Sequence, residues 1–184
     1  VITEPDPLNL SQTSSDFNGF DSSCSGGVDA TIDVTVTGGT STYTFAWTTT
    51  DGSGLDETAE DQSGLSAGTY NLTVMDSNGC EISDSYVITE PLPIVLTSTL
   101  SDFNGFNISC NGEIDGSASI SVSGGTNPYS YNWTSGGTSD TETGLGTGNY
   151  TVTVTDSLGC SEVETISISE PSTLSVAISQ VTVN

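Results

Sequence analysis

ATIDVTVT, at residues 30–37, alternates small or branched apolar residues with polar ones. A period of two puts the apolar side chains on one face of a β-strand and the polar side chains on the other. Similar alternation recurs at residues 43–47, 70–74 and 118–122. These runs predict half-buried strands, and because no stretch shows helical periodicity, the sequence predicts an all-β fold.

The chain contains an internal repeat. SDFNGF stands at residues 15–20 and again, unchanged, at 101–106, and ITEP at 88–91 returns as ISEP at 168–171. Matched motifs are 86 residues apart before the tryptophans and 80 apart after them, which indicates a six-residue insertion in the first copy. A fixed period of this kind is typical of repeat architectures. The predicted segments are the tail of a preceding repeat (1–5), a first repeat (6–91), a second repeat (92–171) and the first strand of a following repeat (172–184).

Each repeat is predicted to contain six or seven short strands separated by glycine-rich turns. This spacing favours tandem immunoglobulin-like β-sandwiches. Trp47 and Trp133 are expected in the core between the two sheets of each sandwich; the alternative is an exposed platform on which a glycan stacks. The pattern Leu-x-x-Gly-x-Tyr suggests a tyrosine corner at Tyr70 and Tyr150.

The charge balance excludes several classes of function. The chain has 24 acidic residues and no lysine, arginine or histidine. Without cations it cannot neutralise phosphates, so nucleic acids and anionic membranes are excluded as partners. Serine–histidine, cysteine–histidine and phosphate-loop chemistry are excluded as well. Paired carboxylates could still hydrolyse glycosides, but they need a shaped cleft that small repeats rarely have. We therefore expect no enzymatic activity.

Four cysteines occupy equivalent positions in the two repeats. Of the three possible pairings, repeat symmetry favours Cys24–Cys80 and Cys110–Cys160. A disulfide that closes a loop of about 50 residues stabilises by roughly 4 kcal/mol in the chain-entropy model, and it implies an oxidising, extracellular compartment. The alternative is four reduced cysteines that pack as small hydrophobic residues.

Taken together, these motifs resemble the SprB-type repeat. The resemblance depends on a cysteine followed by Gly-Gly-x-x-x-Tyr-x-x-x-Trp, then by Leu-x-x-Gly-x-Tyr-x-x-x-Val-x-Asp-x-x-Gly-Cys, and then by ITEP, and it covers nearly the whole chain twice. Such repeats occur in very large surface adhesins of gliding bacteria of the Bacteroidetes group. The resemblance implies export by the type IX route, display as long surface filaments, and a role in gliding motility and adhesion.

A turn after the first strand of each repeat is a candidate Ca²⁺ site. Asp16 with Asn18, and Asp102 with Asn104, offer closely spaced oxygens in a glycine-containing loop, and Ca²⁺ takes six to eight oxygen ligands. The alternative is an Asx-turn, in which the side chains bond the backbone. Possible additional ligands are Asp29, Asp76, Asp115 and Asp156. Asp76 and Asp156 each open the hairpin turn that precedes the second cysteine of a repeat, which favours a structural role for both.

Two functions are consistent with the sequence. The first is a repetitive structural and adhesive segment of a secreted cell-surface filament, whose partners are neighbouring repeats and an external surface or polysaccharide. The second is a dedicated ligand-binding module for a glycan or a cation. The insertion between residues 48 and 63 is acidic and has no aromatic residue, which disfavours glycan binding. If the strand at 173–179 pairs with a free sheet edge, the repeats would assemble into fibres.

Overall fold

The computed structural model describes residues 4–177 and contains twelve strands in that range, six in each repeat. Strands of the first repeat are β1 (Asn9–Ser14), β2 (Ala30–Thr37), β3 (Thr44–Thr49), β4 (Gln62–Leu65), β5 (Gly68–Met75) and β6 (Glu81–Ile88). Strands of the second are β7 (Val95–Leu100), β8 (Gly116–Ser123), β9 (Ser130–Trp133), β10 (Thr141–Leu145), β11 (Gly148–Thr155) and β12 (Ser161–Ile168). No helix in the described part is long and apolar enough to cross a membrane.

Both repeats have the strand order of an immunoglobulin sandwich. In the first, one antiparallel sheet has the order β1-β2-β4 and the other β3-β5-β6; in the second, the orders are β7-β8-β10 and β9-β11-β12. These correspond to the A-B-E and C-F-G sheets of the immunoglobulin fold, without strand D. The predicted all-β, immunoglobulin-like fold is confirmed.

The chain divides into two compact units. One comprises residues up to Pro93 together with Gly124–Asn127, and the other comprises Ile94–Ser123 and the residues from Pro128 onward. The repeat limits of 6–91 and 92–171 remain a prediction of the sequence pattern. Of the predicted strand of a following repeat, residues 172–177 form no strand, and residues 178–184 lie outside the described range.

A separate hydrophobic core fills each sandwich, and both sheets contribute to it. Alternate residues of β2 (Ala30, Ile32, Val34) are buried, as the period of two predicts. They pack with Trp47 of β3 and with Leu72 of β5 in the opposite sheet. The second core contains the equivalent residues Ala118, Ile120, Trp133 and Val152.

The tryptophans are core residues. Trp47 is 1% exposed and Trp133 2% exposed, so the alternative of an exposed glycan platform is wrong. Each indole still has a polar partner, because Nε1 donates to a carbonyl oxygen of the following loop, Ala59 in the first repeat and Ser139 in the second, at 2.8 Å in both. A buried indole N–H without such a partner would destabilise the fold.

A tyrosine corner is present in both repeats. The Tyr70 hydroxyl donates to the Ser66 carbonyl oxygen at 2.9 Å and accepts from the Ser53 amide at 3.1 Å. In the second repeat the Tyr150 hydroxyl donates to the Gly146 carbonyl oxygen at 3.2 Å. Each tyrosine lies near the start of its strand and bonds back to the chain four residues upstream, as in immunoglobulin domains.

Candidate functional site

The turn that carries Asp16 and Asn18 is a tight hairpin. Phe17 and Phe20 pair across it, and the two residues between them, Asn18 and Gly19, have φ of 58° and 93°. Positive φ at both central positions is the type I′ turn, for which Asn-Gly is the preferred sequence. The Asp16 carboxylate accepts the Gly19 amide at 2.7 Å. Both side chains are therefore explained by the turn itself.

The second repeat forms the same hairpin. Asn104 and Gly105 have φ of 57° and 94°, and Asp102 accepts the Gly105 amide at 2.7 Å. Asp16 also lines a small cleft of about 270 Å³ with Asp21. Within residues 4–177, however, no three acidic or cysteine side chains are grouped closely enough to hold a metal. Calcium binding by Asp16, Asn18, Asp102 and Asn104 remains a prediction.

Asp76 and Asp156 organise the turns that hold the second cysteine of each repeat. Asp76 is 3% exposed, and its two carboxylate oxygens accept the amides of Cys80, Asn78 and Thr40, each at 2.9 Å. Hydrogen bonds from the backbone of Cys80 and Thr40 hold the pKa of Asp76 below its ordinary value. Asp156 accepts the Cys160 amide at 2.9 Å in the same way. These are the structural roles that the turn positions favour.

At the end of the first repeat opposite the Asp76 turn, Asp21 and Thr89 join two loops by hydrogen bonds, and we call this pair the clasp. Thr89, just after β6, donates to the Asp21 carboxylate through its amide at 2.9 Å and through its hydroxyl at 2.6 Å. The Asp21 amide in turn donates to the Thr89 carbonyl oxygen at 3.1 Å. Partial burial raises the pKa of Asp21, but the hydrogen bonds from Ser14 and Thr89 outweigh that effect and leave the pKa lowered.

The glutamates of the ITEP and ISEP motifs bind the loop that carries the first cysteine of each repeat. Glu90 accepts the Gly26 amide at 2.7 Å, and Glu170 accepts the Gly112 amide at 2.8 Å. Sequence reasoning used these motifs only to find the repeat. The recurrence of these motifs was the signal that could have revealed the role. Each motif has a threonine or serine that donates to the loop carrying the first cysteine, and a glutamate that accepts from it.

The clasp determines where the first cysteine lies. Cys24 lies between two residues that bond the end motif. The Ser22 amide donates to the Thr89 carbonyl oxygen at 3.0 Å, and the Gly26 amide donates to the Glu90 carboxylate. It therefore lies near the end of β6. Cys80 directly precedes the start of β6, held by Asp76. An eight-residue strand is about 25 Å long, whereas the two Cα atoms of a disulfide lie within about 7 Å of each other.

The second repeat separates its cysteines in the same manner. Asn111 donates to the Pro171 carbonyl oxygen at 3.1 Å and Gly112 to Glu170, so Cys110 lies beyond the end of β12. Cys160 directly precedes the start of β12. In both repeats, the two cysteines are at opposite ends of one strand.

Two segments of the chain, residues 21–52 and 106–138, match the model of the SprB repeat. The chain contains two SprB repeats. Each match begins at or next to the residue that accepts from the end motif, Asp21 bound by Thr89 or Asn107 bound by Ser169, includes the first cysteine, and ends five residues beyond the buried tryptophan.

Two solved structures resemble the chain at low identity. The amphioxus IgVJ-C2 molecule is 15% identical, with 71% of this chain and 90% of that chain covered and a TM-score of 0.32. A C-terminal 282-residue fragment of intimin, solved in complex with the intimin-binding domain of the translocated intimin receptor, is 16% identical, with 91% and 64% covered and a TM-score of 0.45. No curated protein matches the chain.

The predicted disulfides within each SprB repeat are wrong. Cys80 and Cys110 are exposed free thiols, whereas Cys24 and Cys160 are disulfide-bonded. Repeat symmetry shows which cysteines are equivalent, but it does not show at which end of the sandwich each one lies. The alternative of four reduced, buried cysteines is wrong for the same reasons.

The insertion in the first SprB repeat is bound to the core of that repeat. Trp47 donates its amide to the Glu57 carbonyl oxygen at 3.0 Å. Gln62 is 3% exposed, and its amide group accepts from the Asp56 amide and donates to the Asp56 carbonyl oxygen. The Asp61 carboxylate accepts the Val34 amide at 2.9 Å. These backbone contacts give Gln62 and Asp61 structural roles.

Proposed function

We propose that this chain is a repetitive structural and adhesive segment of a secreted cell-surface filament or adhesin that acts in gliding motility and surface attachment. The observation that carries the proposal is the match of two successive segments to the SprB repeat. Each repeat is a small sandwich whose end loops are fixed by hydrogen bonds, which suits a spacer. Many weak contacts made by many copies add through effective concentration, so an array can adhere without a deep binding site.

An extracellular position and the lack of enzymatic activity belong to this proposal. The bonded state of Cys24 and Cys160 supports an oxidising compartment, since disulfides persist there and are rare in the cytosol. The matched family is a repeat family and not a catalytic one. The sequence has no histidine, lysine or arginine to act as a base or an anion clamp.

A dedicated ligand-binding module has less support. The insertion that distinguishes the first repeat has no aromatic side chain, and its aspartates Asp51, Asp56 and Asp61 each accept a backbone amide. Hydrogen bonds from the backbone of Thr69 lower the pKa of Asp51, and those from Thr58 lower the pKa of Asp56. Polysaccharide or another external surface remains our proposed partner for the array as a whole, together with neighbouring repeats.

Localisation and adhesion can be tested in cells that make the protein. Antibodies raised against the folded 184-residue chain should label intact, unpermeabilised cells and should reduce their attachment to glass. The same antibodies absorbed with the purified chain serve as the control. Labelling that requires permeabilisation would contradict the proposal, and so would surface labelling combined with normal attachment after the two repeats are deleted.

A further inference from the structure

Four asparagines of the chain directly precede a glycine, and such a pair is chemically labile. The nitrogen of the glycine amide, once it has lost its proton, can attack the side-chain carbonyl carbon of the asparagine, because glycine has no Cβ to hinder the approach. The four pairs are Asn18-Gly19, Asn78-Gly79, Asn104-Gly105 and Asn111-Gly112. All four asparagines are exposed, so burial does not distinguish one pair from another.

The reaction, deamidation, needs only the pair itself and water. A bond forms between the glycine nitrogen and the asparagine Cγ, the bond from Cγ to the side-chain nitrogen breaks, and the proton lost by the glycine nitrogen ends on the departing group, which leaves as ammonia. Water then opens the cyclic succinimide at one of its two carbonyl carbons, to give aspartate or isoaspartate. A neutral side chain thus becomes a carboxylate without any oxidant or reductant.

In three of the pairs, a carboxylate accepts the hydrogen bond of the amide that would attack. The acceptors are Asp16 for Gly19 and Asp102 for Gly105, both at 2.7 Å, and Glu170 for Gly112, at 2.8 Å. A neighbouring negative charge disfavours the formation of a second one, so the proton of these amides is harder to remove. The hydrogen bond to a charged acceptor is also stronger than one to a neutral acceptor, and it must break before the nitrogen can attack.

The amide of Gly79 has a neutral acceptor instead. It donates to the Asp76 carbonyl oxygen at 3.0 Å, and the Asp76 carboxylate is bound by the amides of Thr40, Asn78 and Cys80. We infer that Asn78 is the site of spontaneous deamidation in this chain, and that the carboxylates at the other three pairs protect them. The difference between a charged and a neutral acceptor corresponds to about a tenfold difference in rate.

Deamidation of Asn78 changes the turn that holds Cys80. The new carboxylate cannot donate to the Thr40 hydroxyl oxygen, as the Asn78 side chain does at 2.9 Å. In isoaspartate the main chain runs through the former side chain, which adds a methylene between two amides that bind the same oxygen of Asp76. The second repeat has Leu158 at the equivalent position of its turn, so this reaction is confined to the first repeat. The inference does not rest on the proposed function.

The test measures the rate at each pair in the folded 184-residue chain at mildly alkaline pH. Incubation in water labelled with heavy oxygen marks every carboxylate formed during the incubation, and peptide mass spectrometry then gives the four rates. Asn78 should react about tenfold faster than each of the other three asparagines. In denaturant, where no carboxylate is held against a glycine amide, the four rates should converge.

Asp102→Asn is the matched variant. Its amide oxygen can still accept from the Gly105 amide but has no charge, and circular dichroism verifies the fold. Asn104 should then deamidate about tenfold faster, whereas Asn18, in the unchanged hairpin of the same molecule, should keep its rate. Asp16→Asn should reverse this pattern.

Three results would overturn the inference. One is an Asn78 that reacts no faster than another Asn-Gly pair of the folded chain. Another is a preference for Asn78 that persists in denaturant, because the sequence alone would then cause it. The third is an unchanged rate at the neighbouring asparagine in both aspartate variants.

Discussion

The two repeats close the same loop with an acid in one and an amide in the other. In the first repeat the acceptor is the Asp21 carboxylate, bound by Thr89; in the second it is the Asn107 amide oxygen, which accepts the amide of Ser169 at 3.0 Å and its hydroxyl at 2.9 Å. The backbone bond in the opposite direction is present in both. The clasp thus requires an oxygen acceptor at this position, and the charge is not needed to form it.

The charge does make the first clasp sensitive to pH. Protonation removes part of the capacity of a carboxylate to accept hydrogen bonds, whereas a side-chain amide does not titrate. Described acidic groups with a lowered pKa also differ in number between the repeats. In the first repeat they are Asp21, Asp29, Asp51, Asp56 and Asp76, and in the second Asp115.

The largest expected effect comes from removing a core tryptophan. Trp47→Ala should destabilise the first repeat by about 3–5 kcal/mol, because it removes buried apolar surface and leaves the Ala59 carbonyl oxygen without its indole donor. Denaturant unfolding followed by the fluorescence of Trp133 should show the second repeat unchanged. The matched variant, Trp133→Ala, should spare the first repeat, as reported by Trp47.

If either substitution lowered the midpoint of both repeats equally, the two sandwiches would not be separate folding units. A loss below about 1 kcal/mol would show that the tryptophan does not hold its core together.

Acid should destabilise the first repeat more than the second. A lowered pKa in the folded state means that the stabilisation is present above the unfolded-state value of about 3.9 and is lost as pH falls through the lower folded-state value. Trp133→Phe leaves Trp47 as the reporter of the first repeat, and Trp47→Phe leaves Trp133 for the second. Melts between pH 5 and pH 2 should show the larger loss for the first repeat.

Asp21→Asn sharpens this test. Its amide oxygen can still accept from Thr89, as Asn107 does from Ser169, so the stability at pH 7 should change by less than about 1 kcal/mol. The acid sensitivity of the first repeat should decrease. Asp21→Ala, which removes the acceptor, should cost about 1–2 kcal/mol at pH 7. Equal acid profiles for the two repeats would contradict the role assigned to the carboxylate.

A smaller effect is expected at Tyr86, where the second repeat has Ile166. Tyr86 is 6% exposed, its ring centroid lies 5.7 Å from that of Trp47, and no described residue accepts or donates a hydrogen bond at its hydroxyl. Burial, with a contribution from Asp84, raises its pKa. Tyr86→Phe should therefore stabilise the first repeat by about 1 kcal/mol, because it removes a buried polar group without a partner. A thermal melt that shows destabilisation would indicate that the hydroxyl has a partner.

The sandwich could be predicted from the two-residue alternation and the spacing of the turns, because each of these patterns is a property of a single strand or turn. The alternation at residues 30–37 predicted a buried face, and the Leu-x-x-Gly-x-Tyr pattern that ends at Tyr70 predicted the corner. The cysteine pairing depends instead on which end of β6 each loop reaches, and the loop that holds Cys24 is placed there by hydrogen bonds of Asp21 and Gly26 to Thr89 and Glu90, which no local pattern specifies. Thr89 and Glu90 were recognised as part of a repeated motif. Their role in holding the loop of Cys24 follows only from their hydrogen bonds to Asp21 and Gly26 in the structure.

The separation of Cys24 from Cys80 tests the account most directly. A Cys110→Ser/Cys160→Ser variant leaves these two cysteines for spin labels, and the distance between the labels can be measured by pulsed electron paramagnetic resonance. The account predicts about 25 Å or slightly more, the length of the eight-residue strand between their loops. A distance below about 10 Å would place both cysteines at one end of the repeat and would contradict the account.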